Sequence, residues 1–162
     1  KGIRPATCFI LYQIGIATGD LSSGILSQFL KTRKKVLTGY LLTALAGVAF
    51  FFLAIHSYKS ATAMMIGAVW TGFGCGYLSV FVTTAAESFG TNLRVTVVAT
   101  VTNFMRGAIT ILIPFRAWLS GAFQLTLSGS LMVTGAIVFS AALIAAAFLH
   151  ETYGKSLDFI EN

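Results

Sequence analysis

Charged residues are scarce in this sequence of 162 residues, and their scarcity excludes most soluble folds. Asp, Glu, Lys and Arg make up 10% of the chain, and hydrophobic residues make up 56%, whereas a soluble domain carries about 25% charged residues. The formal charge of +6 does not indicate nucleic-acid binding, because the basic residues lie between apolar segments and form no surface stripe. We therefore expect an integral membrane protein without a nucleic-acid partner.

Cysteine, histidine and proline are also rare, with two residues of each kind. Cys8 and Cys75 both lie within apolar runs, where cysteine usually acts as a small hydrophobic residue, although a disulfide between them stays open. His56 and His150 stand at the ends of apolar segments without neighbouring ligand types. We therefore expect no metal site and no cofactor.

Five apolar stretches reach the length of about 20 residues that a membrane-spanning helix needs. They are continuous and lack the alternation that is typical of a transmembrane β-strand. The sequence therefore predicts an all-α membrane protein, with a bundle of five transmembrane helices over residues 1–150 and a cytoplasmic C-terminal tail over residues 151–162. The predicted spans are residues 5–30, 36–57, 61–86, 95–115 and 128–150.

Four cations are crowded between the first two spans, and the positive-inside rule places this loop in the cytoplasm. Alternation of the spans then brings two further charged segments to the same side. We expect these residues to form a cytoplasmic gating network that breaks and reforms between conformations; simple topology signals and interfacial anchoring are the alternative. The network consists of Lys31, Arg33, Lys34, Lys35, Glu87, Arg94 and Glu151.

Asp20 and Arg106 are predicted to lie deep in the membrane. Asp20 precedes Lys31 by 31 − 20 = 11 residues, or about 16 Å of helix, which is close to half of a hydrocarbon core about 30 Å thick. Arg106 follows Arg94 by 106 − 94 = 12 residues, or about 18 Å. Charges at this depth usually mark a pathway, a relay or an ion pair, so we expect both to face a polar cavity. A buried structural pair, or an arginine that reaches backbone carbonyls, is the alternative.

Two uncharged polar residues extend this predicted solute and proton pathway. Asn103 lies three residues before Arg106 and therefore on the same helix face, and Gln13 lies on the helix of Asp20.

Glycines recur on the first and third predicted spans. Small residues let membrane helices approach closely, so we expect helix packing at these positions; sliding or bending of helices during a transport cycle is the alternative. The glycines are Gly15, Gly19, Gly24, Gly72, Gly74 and Gly76.

Three segments in order carry a resemblance to a known family: GILSQFLKTRKK from Gly24, ESFGTNLRVTVVATVTNFMRG from Glu87, and HETYGKSLDFIEN from His150. Together they resemble the C-terminal half of a major facilitator superfamily transporter, with its sugar-porter and organic-acid branches nearest. The resemblance implies that the five spans are the eighth to twelfth helices, an incomplete six-helix half. It also implies a solute site at mid-membrane between two halves, with the N-terminal half of the same transporter as partner.

These observations together predict a secondary active transporter that moves a small polar or anionic solute by alternating access. Protons are the candidate coupling ion, and the lipid bilayer of the bacterial inner membrane is the expected surrounding. The chain begins at Lys1 without Met and has an odd number of spans, so we expect a fragment that is inactive alone.

Three other classes of protein compete with this prediction. No HExxH motif, paired intramembrane acids or Ser–His pair is present, so we expect no enzyme, unless its chemistry lies in a missing part. A non-transporting helical scaffold or receptor is the second alternative, and it predicts that Asp20 and Arg106 are both replaceable by apolar residues. A channel is disfavoured because nothing in the sequence resembles a selectivity ring.

Overall fold

The computed structural model describes residues 4–58 and 60–154, and across these two ranges the chain is helical without β-strands. The helices are α1 (Pro5–Phe29), α2 (Arg33–Leu53), α3 (Ala61–Cys75), α4 (Leu78–Ser88), α5 (Arg94–Ala122) and α6 (Leu127–Phe148). A π-helical turn, Ala54–Tyr58, continues α2.

Five helical segments of the described chain are long and apolar enough to cross a membrane. They are Pro5–Phe29, Arg33–Ser57, Ala61–Ser88, Arg94–Ala122 and Leu127–Phe148. The prediction of an all-α membrane protein with five transmembrane helices is confirmed. The chain is thus an integral, multi-pass membrane protein.

The fourth span is longer than predicted. It does not end at residue 115 but continues to Ala122, with Pro114 inside the helix. Arg116 does not end the helix, because its Nη1 donates to Ser130 Oγ of α6 at 3.4 Å. The predicted long connection shrinks to residues 123–126, a turn that Ser120 Oγ closes by donating to the Leu125 carbonyl at 2.8 Å.

The chain divides into two compact units, which are described separately. The first contains the described residues up to Thr84 together with residues 149–154, and the second runs from Ala85 to Phe148. In the first unit α3 packs against both α1 and α2; in the second, α5 packs against α6.

Backbone contact at glycine brings the helices of the first unit together. A methyl group on Gly15 would overlap the Val69 carbonyl oxygen, and one on Gly72 would overlap the Tyr12 carbonyl oxygen. On the other side of α3, Gly74 lies directly against the backbone of Ala44. Since lipid offers no hydrophobic drive for helix association, such close van der Waals packing is a main source of stability.

A small apolar core lies beside these contacts. Val36, Tyr40 and Val80 are buried together, and Phe73 and Tyr77 pack against them. The rings of Tyr40 and Phe73 are stacked with centroids 5.5 Å apart.

Candidate functional site

The third span is broken in the middle, a feature that the sequence analysis did not predict. Residues Gly76 and Tyr77 are not helical and separate α3 from α4. At the break, hydrogen bonds between residues two or three positions apart replace those of the helix. The Gly76 N–H donates to the Phe73 carbonyl at 3.1 Å, and the Tyr77 N–H donates to the Cys75 carbonyl at 3.0 Å. The break leaves the first N–H groups of α4 without partners inside their own helix.

Asp20 of α1 supplies one of the missing partners. Its Oδ1 accepts a hydrogen bond from the backbone N–H of Ser79, in the first turn of α4, at 2.7 Å. Ser79 Oγ donates in return to the Asp20 backbone carbonyl at 3.1 Å. The carboxylate therefore acts as an N-cap from a neighbouring helix, and its negative charge lies at the positive end of the α4 dipole.

Glycine at the break is what permits this approach. A Cβ on Gly76 would lie 2.5 Å from the backbone nitrogen of Asp20, and one on Gly19 would overlap the Phe73 carbonyl oxygen. Gly24, in contrast, has ordinary spacing, since its Cβ would lie 3.4 Å from Ser79 Oγ. The close backbone contacts of α1 with α3 thus continue from Gly15 and Gly72 to the acid and the break.

The depth of Asp20 agrees with the estimate from the sequence. Asp20 is half-buried and lies nine residues before Phe29, the last residue of α1, or about 14 Å along the helix axis. Gln13 is exposed on the same helix, seven residues earlier, a spacing that returns to the same face.

A second polar site lies at the basic end of the first unit, where the Glu151 carboxylate meets the first turn of α2. Its Oε1 accepts from the Arg33 N–H at 2.7 Å, and its Oε2 accepts from the Lys34 N–H at 3.3 Å. The N–H groups of Thr152 and Tyr153 also donate to Oε1, each at 3.1 Å. Glu151 therefore caps α2 from a distant part of the sequence.

This arrangement shifts the acidity of Glu151. Desolvation by burial raises its pKa, but the backbone N–H groups of Arg33, Tyr153, Lys34 and Thr152 outweigh that effect, so that the pKa lies below its ordinary value. The carboxylate is thus ionised at neutral pH and complements the positive end of the α2 dipole.

Arg33 joins three elements at this end. Its side chain is 6% exposed, and its Nη1 donates to the buried Ser27 Oγ of α1 at 2.6 Å. The guanidinium also lies over the Tyr153 ring, 5.2 Å from the centroid. Of the predicted gating residues, the structure thus brings Arg33, Lys34 and Glu151 together, whereas Lys31 and Lys35 are exposed.

The second unit holds the remaining predicted residues. Arg94, the first residue of α5, donates from Nε to the Ala86 carbonyl in the last turn of α4 at 3.0 Å, and Glu87 is half-buried nearby in the sequence. A cavity of about 510 Å³ lies along α5 and is lined by Ala86, Arg94, Thr102, Asn103 and three small apolar residues. Asn103 thus faces this cavity together with an arginine.

Arg106 is exposed one turn beyond Asn103. It belongs to the second unit and Asp20 to the first, so their pairing stays a prediction. Asp20 has a partner of its own, the Ser79 N–H.

Sequence reasoning missed the partners of the predicted residues. Ser79, Ser27 and Tyr153 were not singled out, although each contacts a residue that was. Glycine occupies every second position from 72 to 76 inside a span of 28 residues, and glycine weakens a helix interior. This pattern could have indicated the break in the helix, and with it the need for a cap at Ser79.

Cys8 and Cys75 are both free thiols.

Comparison of the chain with protein-family models, with curated proteins and with solved structures gives no match in any of the three.

Proposed function

We propose that the chain is part of a secondary active transporter that moves a small polar or anionic solute across a membrane by alternating access. In this proposal it is an incomplete six-helix half of a major facilitator transporter in the bacterial inner membrane, and the N-terminal half of the same transporter is its partner. The proposal rests above all on the broken third span with Asp20 at the break. Transporters commonly build their solute and coupling-ion sites near mid-membrane from discontinuous helices.

The capped break supports a role for Asp20 in proton coupling. The ionised carboxylate holds the first turn of α4 through Ser79 and is favoured there by the helix dipole. Protonation removes the charge and weakens a charge-assisted hydrogen bond to an ordinary one, which is roughly half as strong. The proton would therefore bias α4 between a held and a released position about Gly76 and Tyr77, as a ligand biases a two-state element.

The cavity beside α5 is mainly apolar, and its few polar groups support a polar or anionic solute. Asn103 offers hydrogen bonds and Arg94 adds a positive charge, whereas Thr102 Oγ1 already donates to the Val98 carbonyl at 2.8 Å. Arg106, exposed one turn further, would extend the positive path towards the membrane centre. Helix α5 carries three arginines, Arg94, Arg106 and Arg116, and charged residues inside a membrane helix usually mark a pathway or an ion pair.

The cap at Glu151 supports a gating role for the basic end. Two of its four hydrogen bonds, from the N–H groups of Arg33 and Lys34, join the segment after α6 to the start of α2. An exposed group of this kind is worth little on its own, about 0–1 kcal/mol. A difference of that size still changes the ratio of two conformations by up to about fivefold.

Transport assays in liposomes test this function. The whole protein that contains this chain is reconstituted with an internal pH-sensitive dye and given inward gradients of glucose, lactate, malate or citrate. We expect one of these probes to enter saturably and to carry protons. Asp20→Asn should abolish uphill uptake and leave solute exchange intact, and Gln28→Asn is the matched control, because Gln28 is exposed on the same helix and is not part of the predicted pathway.

Two outcomes would contradict the proposal. If no probe crosses faster than in protein-free liposomes, transport is rejected in favour of a helical scaffold or receptor. Unchanged uphill uptake in Asp20→Asn would remove Asp20 from proton coupling while leaving transport in place.

A further inference from the structure

A groove is lined mainly by residues of α1 and α2. Its volume is about 700 Å³, and Phe73 of α3 forms part of its lining. Ile25, Leu26 and Phe29 contribute from α1, and Val36 and Gly39 contribute from α2. It extends along both helices towards the basic turn that joins them.

The groove presents a mainly apolar surface to a bound ligand. Its hydroxyl groups are already paired, since Ser22 Oγ and Tyr40 OH are 2.8 Å apart, and Thr43 Oγ1 donates to the Gly39 carbonyl at 2.8 Å. A polar solute would have to lose its hydration without gaining hydrogen bonds there. An acyl chain has no hydrogen bonds to water that it would lose on entering the groove.

The mouth of the groove carries a positive charge. Lys35 is part of the lining and is exposed, and Lys31, in the adjoining turn, is exposed as well. Arg33 between them is buried on Ser27 and Tyr153 and Lys34 is half-buried, so Lys31 and Lys35 are the fully exposed cations of this turn. Basic pockets between transmembrane helices bind the head groups of anionic lipids.

We propose that this groove is a binding site for an anionic phospholipid, with one acyl chain between α1 and α2 and the phosphate group at Lys35. The two parts of the site match the two parts of such a lipid. The proposal does not depend on transport, because it rests only on the lining of the groove and on the charges at its mouth.

The structure offers a variant that fills the groove without disturbing the fold. A Cβ on Gly39 would have no atom within 4 Å, so Gly39→Leu places a side chain in the groove free of backbone collision. Gly135→Leu is the matched control, because Gly135 of α6 is equally open and does not line the groove. Lys35→Gln removes the charge at the mouth and keeps most of the side-chain length.

Native mass spectrometry of the purified protein in detergent, titrated with phosphatidylglycerol or phosphatidylcholine, tests the proposal. We expect tighter binding of phosphatidylglycerol, and loss of this preference in Lys35→Gln by about fivefold, the effect of one lysine near an anionic surface. Gly39→Leu should weaken binding of both lipids, and Gly135→Leu should bind like the parent protein. Inorganic phosphate alone should not compete.

Each contrary result overturns the proposal. Equal binding of the two lipids, or an unchanged preference in Lys35→Gln, would reject the phosphate site at Lys35. Unchanged lipid binding in Gly39→Leu would place the lipid elsewhere. If Gly39→Leu fails to fold, normal lipid binding in Lys35→Gln alone is enough to reject the proposal.

Discussion

Replacing Asp20 with alanine removes the oxygen that accepts the Ser79 N–H, and the consequences for stability follow from that one bond. Oδ1 and the Ser79 nitrogen are 2.7 Å apart at the start of α4, half-buried among α1, α3 and α4. The membrane interior provides no water to replace the lost acceptor. The N–H group therefore stays unsatisfied in the variant.

The magnitude has two parts. An unsatisfied buried donor costs about 1–3 kcal/mol, and loss of the anion at a helix N-terminus adds about 0.3–1 kcal/mol. We expect Asp20→Ala to lower the free energy of unfolding by the sum of these parts, about 1–4 kcal/mol. Asp20→Asn keeps an acceptor oxygen and loses only the charge, so its expected cost is about 1 kcal/mol.

Reversible unfolding by sodium dodecyl sulfate in mixed micelles, followed by far-ultraviolet circular dichroism, measures both variants. Gln13→Ala is the control, because Gln13 is exposed on the same helix. Ser79→Ala keeps the N–H and loses the bond from Oγ to the Asp20 carbonyl and the long contact with Ser23 Oγ, so it should cost about 1 kcal/mol. The capping interpretation is refuted if Asp20→Asn costs as much as Asp20→Ala, or if Asp20→Ala behaves like Gln13→Ala.

Three further predictions test the packing and the basic end of the first unit. The pKa of Glu151 is lowered from its ordinary value of 4.5 in the folded chain, so the ionised carboxylate stabilises the fold fully above pH 4.5, and this stabilisation is lost as the pH falls through the lowered pKa. Glu151→Gln should lack this loss of stability in acid unfolding curves. Curves parallel to those of the parent protein would contradict the prediction. Gly19→Ala should cost about 1–3 kcal/mol in the same detergent titration, since its methyl group would overlap the Phe73 carbonyl, whereas Gly107→Ala, which has open space, should not destabilise. Arg33→Lys should lose the contacts with Ser27 and Tyr153 and cost about 1–2 kcal/mol, because an ammonium cannot reproduce the planar guanidinium; a variant as stable as its parent would disprove that role.

The spans were predictable because the length of an apolar run is set by the thickness of the bilayer. The depth of Asp20 followed from the same geometry, since a helix rises by a fixed distance per residue. The continuation of α5 past Arg116 was not predictable from hydropathy, because it depends on Ser130 of another helix accepting from the guanidinium. The cap of Glu151 on α2 likewise joins residues 118 positions apart, and no local pattern reports such a contact.

The break in the third span and the acid in the first explain one another. A broken helix in lipid leaves N–H groups that cost free energy when unpaired, and an ionised carboxylate at the same depth is costly when isolated. Placed together through Ser79, each satisfies the other, so the pair persists where neither feature would alone. A helix that simply needed to end could have used a local serine or threonine cap; capping by Asp20 instead ties the start of α4 to α1.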